Sequence, residues 1–188
     1  VAGHGVPAAL ITSMIKSSIL ESERYSSNPA QLLTHLNKIL ADQTNESFVT
    51  AFYGIYDNAT RSIVYSNAGH HNPAVIFKNR IVTLDRAKSI PLAVLNNDEM
   101  TQSGQAYRNS RAILPVRSKI LFYTDGLVEA RNLNNRSIDF SRSFNERILK
   151  LKKLDSKEFI ETLYGELTLF RGSESFDDDI CIICVDIE

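Results

Sequence analysis

Several things are scarce in this sequence, and each scarcity excludes something. There are only two cysteines, Cys181 and Cys184. They are spaced like half a zinc site, but neither a second cysteine pair nor a histidine pair accompanies them, so zinc and redox chemistry are set aside. Ile180 to Val185 has the composition of a strand, where residues three apart face opposite sides, and two buried thiols in a reducing compartment are expected. Positive charge is not in excess either. Lys plus Arg is 21 against 22 for Asp plus Glu, a net charge of −1, which argues against a nucleic-acid partner. No apolar run approaches the ~20 residues of a membrane-spanning helix, and no cationic signal peptide opens the chain. A soluble, cytoplasmic domain without membrane contact of its own is the expectation. The sequence also has no internal repeat and no initiator methionine. Val1 runs straight into Ala2-Gly3-His4-Gly5, as expected of a chain whose upstream portion has been cut away.

What is present has the size and make-up of one folded domain spanning 1–188: 43% hydrophobic and 23% charged residues. After the glycine-rich loop, Val6 to about Ser22 carries a wide apolar stripe with Pro7 in its first turn, predicting a helix that is buried or supplies a docking face. Asn28-Pro29 caps a second helix whose Leu32, Leu33, Leu36, Ile39 and Leu40 share a face, with His35 at its boundary. From Phe48 the period changes. Phe48–Tyr56 and Ser62–Tyr65 read as one hairpin, Ala74–Phe77 and Ile81–Leu84 as a second. Ser89–Leu95 is a loop entering a short strand, Gln105–Ile113 a polar edge strand, and Lys119–Tyr123 a central strand. Asn132–Ser141 reads as a surface excursion, Phe144–Leu151 as a short helix, and Ser156 as the cap of a longer one. Ile180–Ile187 is the final strand. The fold class that follows is α+β, with antiparallel sheet packed on both faces.

The candidate chemistry sits at two strand ends. Phe122-Tyr-Thr-Asp-Gly-Leu-Val-Glu-Ala130 brings an apolar strand to a stop at Asp125-Gly126, a sharp turn that leaves a carboxylate on a stiff element. Asp177-Asp178-Asp179 opens the last strand. If the two strands are antiparallel neighbours, their carboxylates meet, and carboxylates so gathered want a hard divalent cation. Asp-Gly also marks ordinary turns, and an aspartate triplet also forms a solvated acidic turn, so both readings stay open on these residues alone.

Four stretches in order, Val1-Ala-Gly-His-Gly-Val-Pro-Ala-Ala-Leu10, Asn67-Ala-Gly-His70, Leu121 to Ala130 and Asp178-Asp179-Ile180, resemble the SpoIIE and RsbU branch of the metal-dependent protein phosphatases, the PPM family. The resemblance implies an antiparallel β-sandwich flanked by helices, in α/β/β/α layers. It also implies a site for two Mn²⁺ or Mg²⁺ ions whose activated water hydrolyses phosphoserine or phosphothreonine. By resemblance, Asp125 and Asp178 would be metal ligands with Asp179 beside them, and the Val1 carbonyl would serve the second metal. The implied substrate is a phosphorylated anti-sigma-factor antagonist of STAS type, and the implied regulator an upstream sensor domain, with the helix from Val6 as lever.

The departures matter too. The family's first motif carries an aspartate bridging both metals, which would stand just before Val1, so the chain as written should bind metal poorly. Cys181 replaces the family's usual Thr and Ala93 its usual Gly, and both are expected to be tolerated. His4 and His70 are read as structural hydrogen-bonding groups, Glu129 as a supporting or surface group, and Asn67 and Gly69 as shaping their loop. The rival readings are a non-catalytic binding module of the same fold and a hydrolase of small phosphoesters.

Overall fold

The structure, a computed structural model, describes residues 1, 3, 5–21, 25–41, 43, 47–132, 140–173 and 175–188. His4 and most of the 132–141 excursion therefore lie outside the described residues, as does Ser22. The chain forms two compact units, each assembled from separate stretches: 1–70 with 85–113, and 71–84 with 114–188.

In the first unit, α1 (Val6–Glu21) and α2 (Pro29–Leu40) precede the hairpin β1 (Ala51–Asp57) and β2 (Ser62–Ala68). The hairpin is antiparallel, with Ala51 opposite Ala68 and Asp57 opposite Ser62. Along its other edge β2 pairs in parallel with the short β5 (Lys88–Ser89) and antiparallel with β6 (Ser110–Ile113), so the edge position expected for β6 is observed. α2 begins as its sequence demands, because the Asn28 side chain accepts from the Gln31 N–H. Its Leu32, Leu33, Leu36 and Leu40 are buried with Val49, Ala68 and Leu92. Each such leucine contributes ~1.5–3 kcal/mol. α1 is only lightly buried. Ile11 and Ser18 are covered, while Val6, Leu10, Ile19 and Leu20 are exposed, which favours the docking-face alternative over burial.

One helix of this unit is not expected from the sequence, α3 (Asn97–Gln102), where Asn96 and Glu99 form a capping box. Buried Asn37 on α2 holds the segment leading to it, donating to the Leu95 carbonyl and to Asn97 Oδ1 and accepting from the Ala93 N–H at 2.8 Å. Ala93 sits at φ 68, a left-handed conformation that costs a residue with a Cβ ~1–2 kcal/mol. That explains the glycine usual at this position. Ala93→Gly is expected to raise stability by ~0.5–1 kcal/mol, since glycine also loses more entropy on folding. Thermal melting checks it.

In the second unit, β3 (Ala74–Phe77), β4 (Arg80–Thr83), β7 (Ser118–Tyr123) and β8 (Ile182–Ile187) form a sheet of order β4-β3-β7-β8, antiparallel throughout. β7 is central, as its apolar sequence requires. Helices α4 (Asp125–Val128), α5 (Ser141–Leu151) and α6 (Ser156–Arg171) complete the unit. Leu121 and Ile76 are buried with Phe144, Ile148, Phe159, Leu163 and Leu167 of the helices.

Three expectations need correction here. Asp155, not Ser156, caps α6, accepting from the Glu158 N–H. Phe140 is fully buried although it belongs to the polar run read as a surface excursion; its ring packs with Phe144 and Phe170. The thiols are not both buried: Cys181 is exposed and Cys184 half-buried. Burial pushes the Cys184 thiol above its ordinary pKa, so it is not a reactive thiolate.

Ser156 has another task. Its N–H and hydroxyl donate to Asp186 Oδ2 at 3.0 and 2.6 Å, and Asp186 Oδ1 takes the buried Lys119 ammonium. Partial burial raises the Asp186 pKa, but the hydrogen bonds from Lys119 and Ser156 outweigh it and hold the carboxyl below its usual value. A depressed carboxyl contributes stability above the unfolded pKa of ~3.9 and loses it as pH falls through the folded pKa. Asp186→Ala, which strands the Lys119 charge, is expected to cost ~2–3 kcal/mol at neutral pH, the half-exposed carboxylate lowering the usual cost of breaking a buried pair. The difference from wild type should shrink in melts below about pH 4.

Candidate metal centre

The antiparallel pairing of β7 with β8 settles the first question about the aspartates. Tyr123 at the end of β7 lies opposite Ile182 at the start of β8, so the chain leaving β7 passes the chain entering β8. Thr124 joins them. Its N–H donates to the Cys181 carbonyl at 3.1 Å, its hydroxyl donates to the Asp179 carbonyl at 3.0 Å, and the same hydroxyl accepts from the Cys181 N–H at 2.9 Å. Thr124 occupies the N-cap position of α4 yet makes no side-chain cap there, because its hydroxyl is committed across the strands.

Asp125 then opens α4, so the sharp turn expected at Asp125-Gly126 is a single helical turn. Gly126 is needed for space rather than for its backbone angle, which is not left-handed. A Cβ at 126 would lie 2.5 Å from the Asp179 carbonyl oxygen and 3.3 Å from that of Asp178. The two acidic segments thus touch through their backbones. Asp125 and Asp178 are both exposed. One oxygen of each is held by a main-chain N–H: Asp125 Oδ1 by Gly126 at 3.2 Å, Asp178 Oδ1 by Asp179 at 2.8 Å. Gly126, Glu129, Ala130, Arg131, Phe176, Asp177 and Asp178 line a cleft of about 280 Å³ at this place.

The third member of the triplet is otherwise engaged. Asp177 receives both terminal nitrogens of Arg171 at 2.9 Å, and the pairing holds that guanidinium more firmly charged. Arg171, buried at the end of α6, also donates to the Ser175 and Arg131 carbonyls. It therefore pins the loop that presents Asp178. Neither Thr124 nor Arg171 was singled out from the sequence. A hydroxyl directly before Asp125 was the available signal for the first; nothing local announces the second.

These donors suit a hard divalent cation. They are carboxylate and carbonyl oxygens, the ligand type such ions take, although among the described residues no group of three or more His, Cys, Asp or Glu is placed to hold a metal ion.

The remaining candidates belong to the first unit. Val1 is exposed and is followed by Gly3 and Gly5 at positive φ. Buried Asn67 clasps His70, accepting from its N–H at 2.8 Å and donating to its carbonyl at 3.0 Å. Gly69, at φ 70, lies so close to Pro91 that a Cβ would come within 2.5 Å of its ring. The Asn67-Ala-Gly-His70 motif is thus a locked loop, and the loop-shaping role expected of Asn67 and Gly69 is what the contacts describe. His70 Nδ1 lies 3.4 Å from the Thr50 hydroxyl.

The family described as Stage II sporulation protein E (SpoIIE) matches over residues 1–188. The chain belongs to the SpoIIE family. Among curated proteins it is 26% identical over 188 residues to the phosphoserine phosphatase RsbU of Bacillus subtilis, covering 97% of this chain and 52% of RsbU; it thus spans about half the length of that relative. The SiaA-PP2C domain of Pseudomonas aeruginosa superposes with a TM-score of 0.80 at 19% identity, over 100% of this chain and 73% of that one. The SpoIIE phosphatase domain of Bacillus subtilis, in a crystal presoaked with Mn, gives 0.60 at 16% identity, over 99% and 75%. The chain accordingly has the α+β fold of the PPM phosphatases, as a SpoIIE-family member should. Among the described residues no helix is long and apolar enough to cross a membrane.

Proposed function

We propose that this SpoIIE-family chain is, over 1–188, the larger part of one protein-serine/threonine phosphatase domain that works with Mn²⁺ or Mg²⁺. The observation that carries the proposal is the close approach of Gly126 to the Asp178 and Asp179 carbonyls, which sets the two acidic segments side by side at one end of the sheet. RsbU, a phosphoserine phosphatase, and the Mn-presoaked SpoIIE crystal support it.

In this reading the free carboxylate oxygens of Asp125 and Asp178 would hold a divalent ion. Asp179 would stand beside them, and the Val1 carbonyl would serve a second ion. When bound, such ions supply Lewis acidity that activates water and polarises a phosphoryl group for in-line displacement. The chain's own part is positional. Thr124 fixes the spacing of the two strand ends, Gly126 allows their approach, and Arg171 keeps Asp177 occupied so that Asp178 is presented. Main-chain N–H groups on one oxygen of each carboxylate fix its rotation, so the donors are preorganised. The substrate would be a phosphorylated protein, an anti-sigma-factor antagonist of STAS type, under an upstream sensor domain with α1 as lever.

The test is phosphate release from a phosphoserine protein by the full-length protein, with Mn²⁺ and with EDTA. Stimulation by Mn²⁺ is expected. Its complete absence, on phosphoprotein and aryl phosphate alike, favours the binding-module reading instead.

A further inference from the structure

The end of the second sheet remote from Asp125 carries the opposite charge. β7 runs ~20 Å from Arg117, which precedes it, to the acidic rim. Around Arg117 lies a cavity of about 550 Å³ lined by Ile76, Phe77, Lys78, Val116, Arg117 and Lys152. A second depression of about 520 Å³, lined by Phe77, Lys78, Asn79 and Arg80, shares two of those residues. Joined at Phe77 and Lys78, the two form one basic surface at the β3–β4 turn. It presents four cations, and no acidic residue lines either part.

None of the four joins an ion pair among the described residues, whose ion pairs use Lys119, Arg147 and Arg171. Lys152 is steadied by Asn79 Oδ1, and the Lys78 ammonium stands 5.2 Å from the centre of the Phe77 ring. Lys78 and Arg117 both occupy left-handed backbone, at φ 53 and 61. Glycine would sit there without strain, yet each position carries a cation.

We propose that this surface binds an extended acidic peptide segment of a protein partner. Cations outside any ion pair attract carboxylates, and two adjoining depressions of about 550 and 520 Å³ hold more than a compact anion fills. Phe77 and half-exposed Val116 offer apolar contact to an intervening side chain. That the partner is a substrate rests on the phosphatase reading. On that reading the surface is a docking site that a protein reaches while its phosphoserine occupies the far rim, and that a small phosphoester does not reach.

The left-handed backbone supplies the test. Lys78→Gly combined with Arg117→Gly removes two cations while easing the chain, so its melting temperature should equal or exceed that of wild type. The full-length protein in EDTA is titrated into a fluorescein-labelled oligoglutamate peptide carrying one central leucine, read by anisotropy. Wild type should bind with an affinity that falls steeply with added salt, and the double variant roughly tenfold or more weakly. Arg142→Glu, at the opposite end of α5 from Lys152, should change it less than about twofold, as expected for a screened charge. With Mn²⁺ present, the double variant should raise KM for a phosphoserine protein and leave aryl phosphate turnover unchanged. Equal binding by the double variant, an equal loss from Arg142→Glu, or binding to phosphatidylglycerol vesicles without binding to the peptide would overturn the proposal. Because the titration needs no turnover, failure of the phosphatase reading is distinguishable: phosphate release is then absent while peptide binding persists.

Discussion

Asp125→Asn in the full-length protein is expected to lower Mn²⁺-stimulated phosphate release from a phosphoserine protein at least ~100-fold, with the fold intact. The size follows from what the carboxylate does in the proposed site. A divalent ion contributes several kcal/mol of transition-state charge stabilisation, and losing ~3 kcal/mol of it is already more than a hundredfold in rate. Stability should hardly change. Asp125 is exposed, its recorded side-chain partner is the N–H of the next residue, and an asparagine oxygen accepts that bond equally well. Asp178→Asn should behave in the same way, whereas Asp177→Asn should spare metal binding and weaken the tie to Arg171. A protein that kept its activity without the Asp125 charge would not be using this site.

Gly126→Ala is expected to damage fold and site together. The new methyl would sit 2.5 Å from the Asp179 carbonyl oxygen, and the obstacle is backbone, not the yielding end of a side chain. Either α4 or the Asp178-Asp179 segment must move. Overpacking of this kind costs ~1–3 kcal/mol, a fall in Tm of ~3–10 °C for a chain of this length. Mn²⁺ affinity should drop with it, because the movement separates Asp125 from Asp178. Gly165→Ala provides the contrast. It lies within α6 with nothing within 4 Å of the added Cβ, and should stabilise by ~0.5–1 kcal/mol. Melting curves and Mn²⁺ titrations of the two variants check both signs.

The elements legible in the sequence were those written in local periodicity. Leu32, Leu33, Leu36 and Leu40 repeat at helical spacing behind an Asn-Pro start, and α2 is found there; the apolar run before Asp125 is the central strand. The pairing of β7 with β8 could be posed only conditionally, since register between strands so distant in the chain is decided by tertiary packing. α3 was missed although Asn96 and Glu99 stand at capping-box spacing, because its apolar content is little more than Met100. Phe140 was hidden in a polar run, where one aromatic ring outweighs its neighbours. The largest omissions were Thr124 and Arg171. Each acts through partners far away in the chain, Asp179 and Cys181 for the one, the Asp177 loop for the other, and no window of sequence holds both ends of such a bond. Gly126 was read for backbone freedom when it serves close approach, a distinction that only the opposing carbonyl reveals.

The most direct measurement is paramagnetic broadening of backbone amide signals by substoichiometric Mn²⁺ in the ¹⁵N-labelled protein carrying its upstream segment. The amides of 125–127 and 178–180 should fade together and first, and should recover on addition of EDTA. Broadening that reaches only one of the two segments, or that begins elsewhere in the molecule, would contradict a metal held jointly by Asp125 and Asp178.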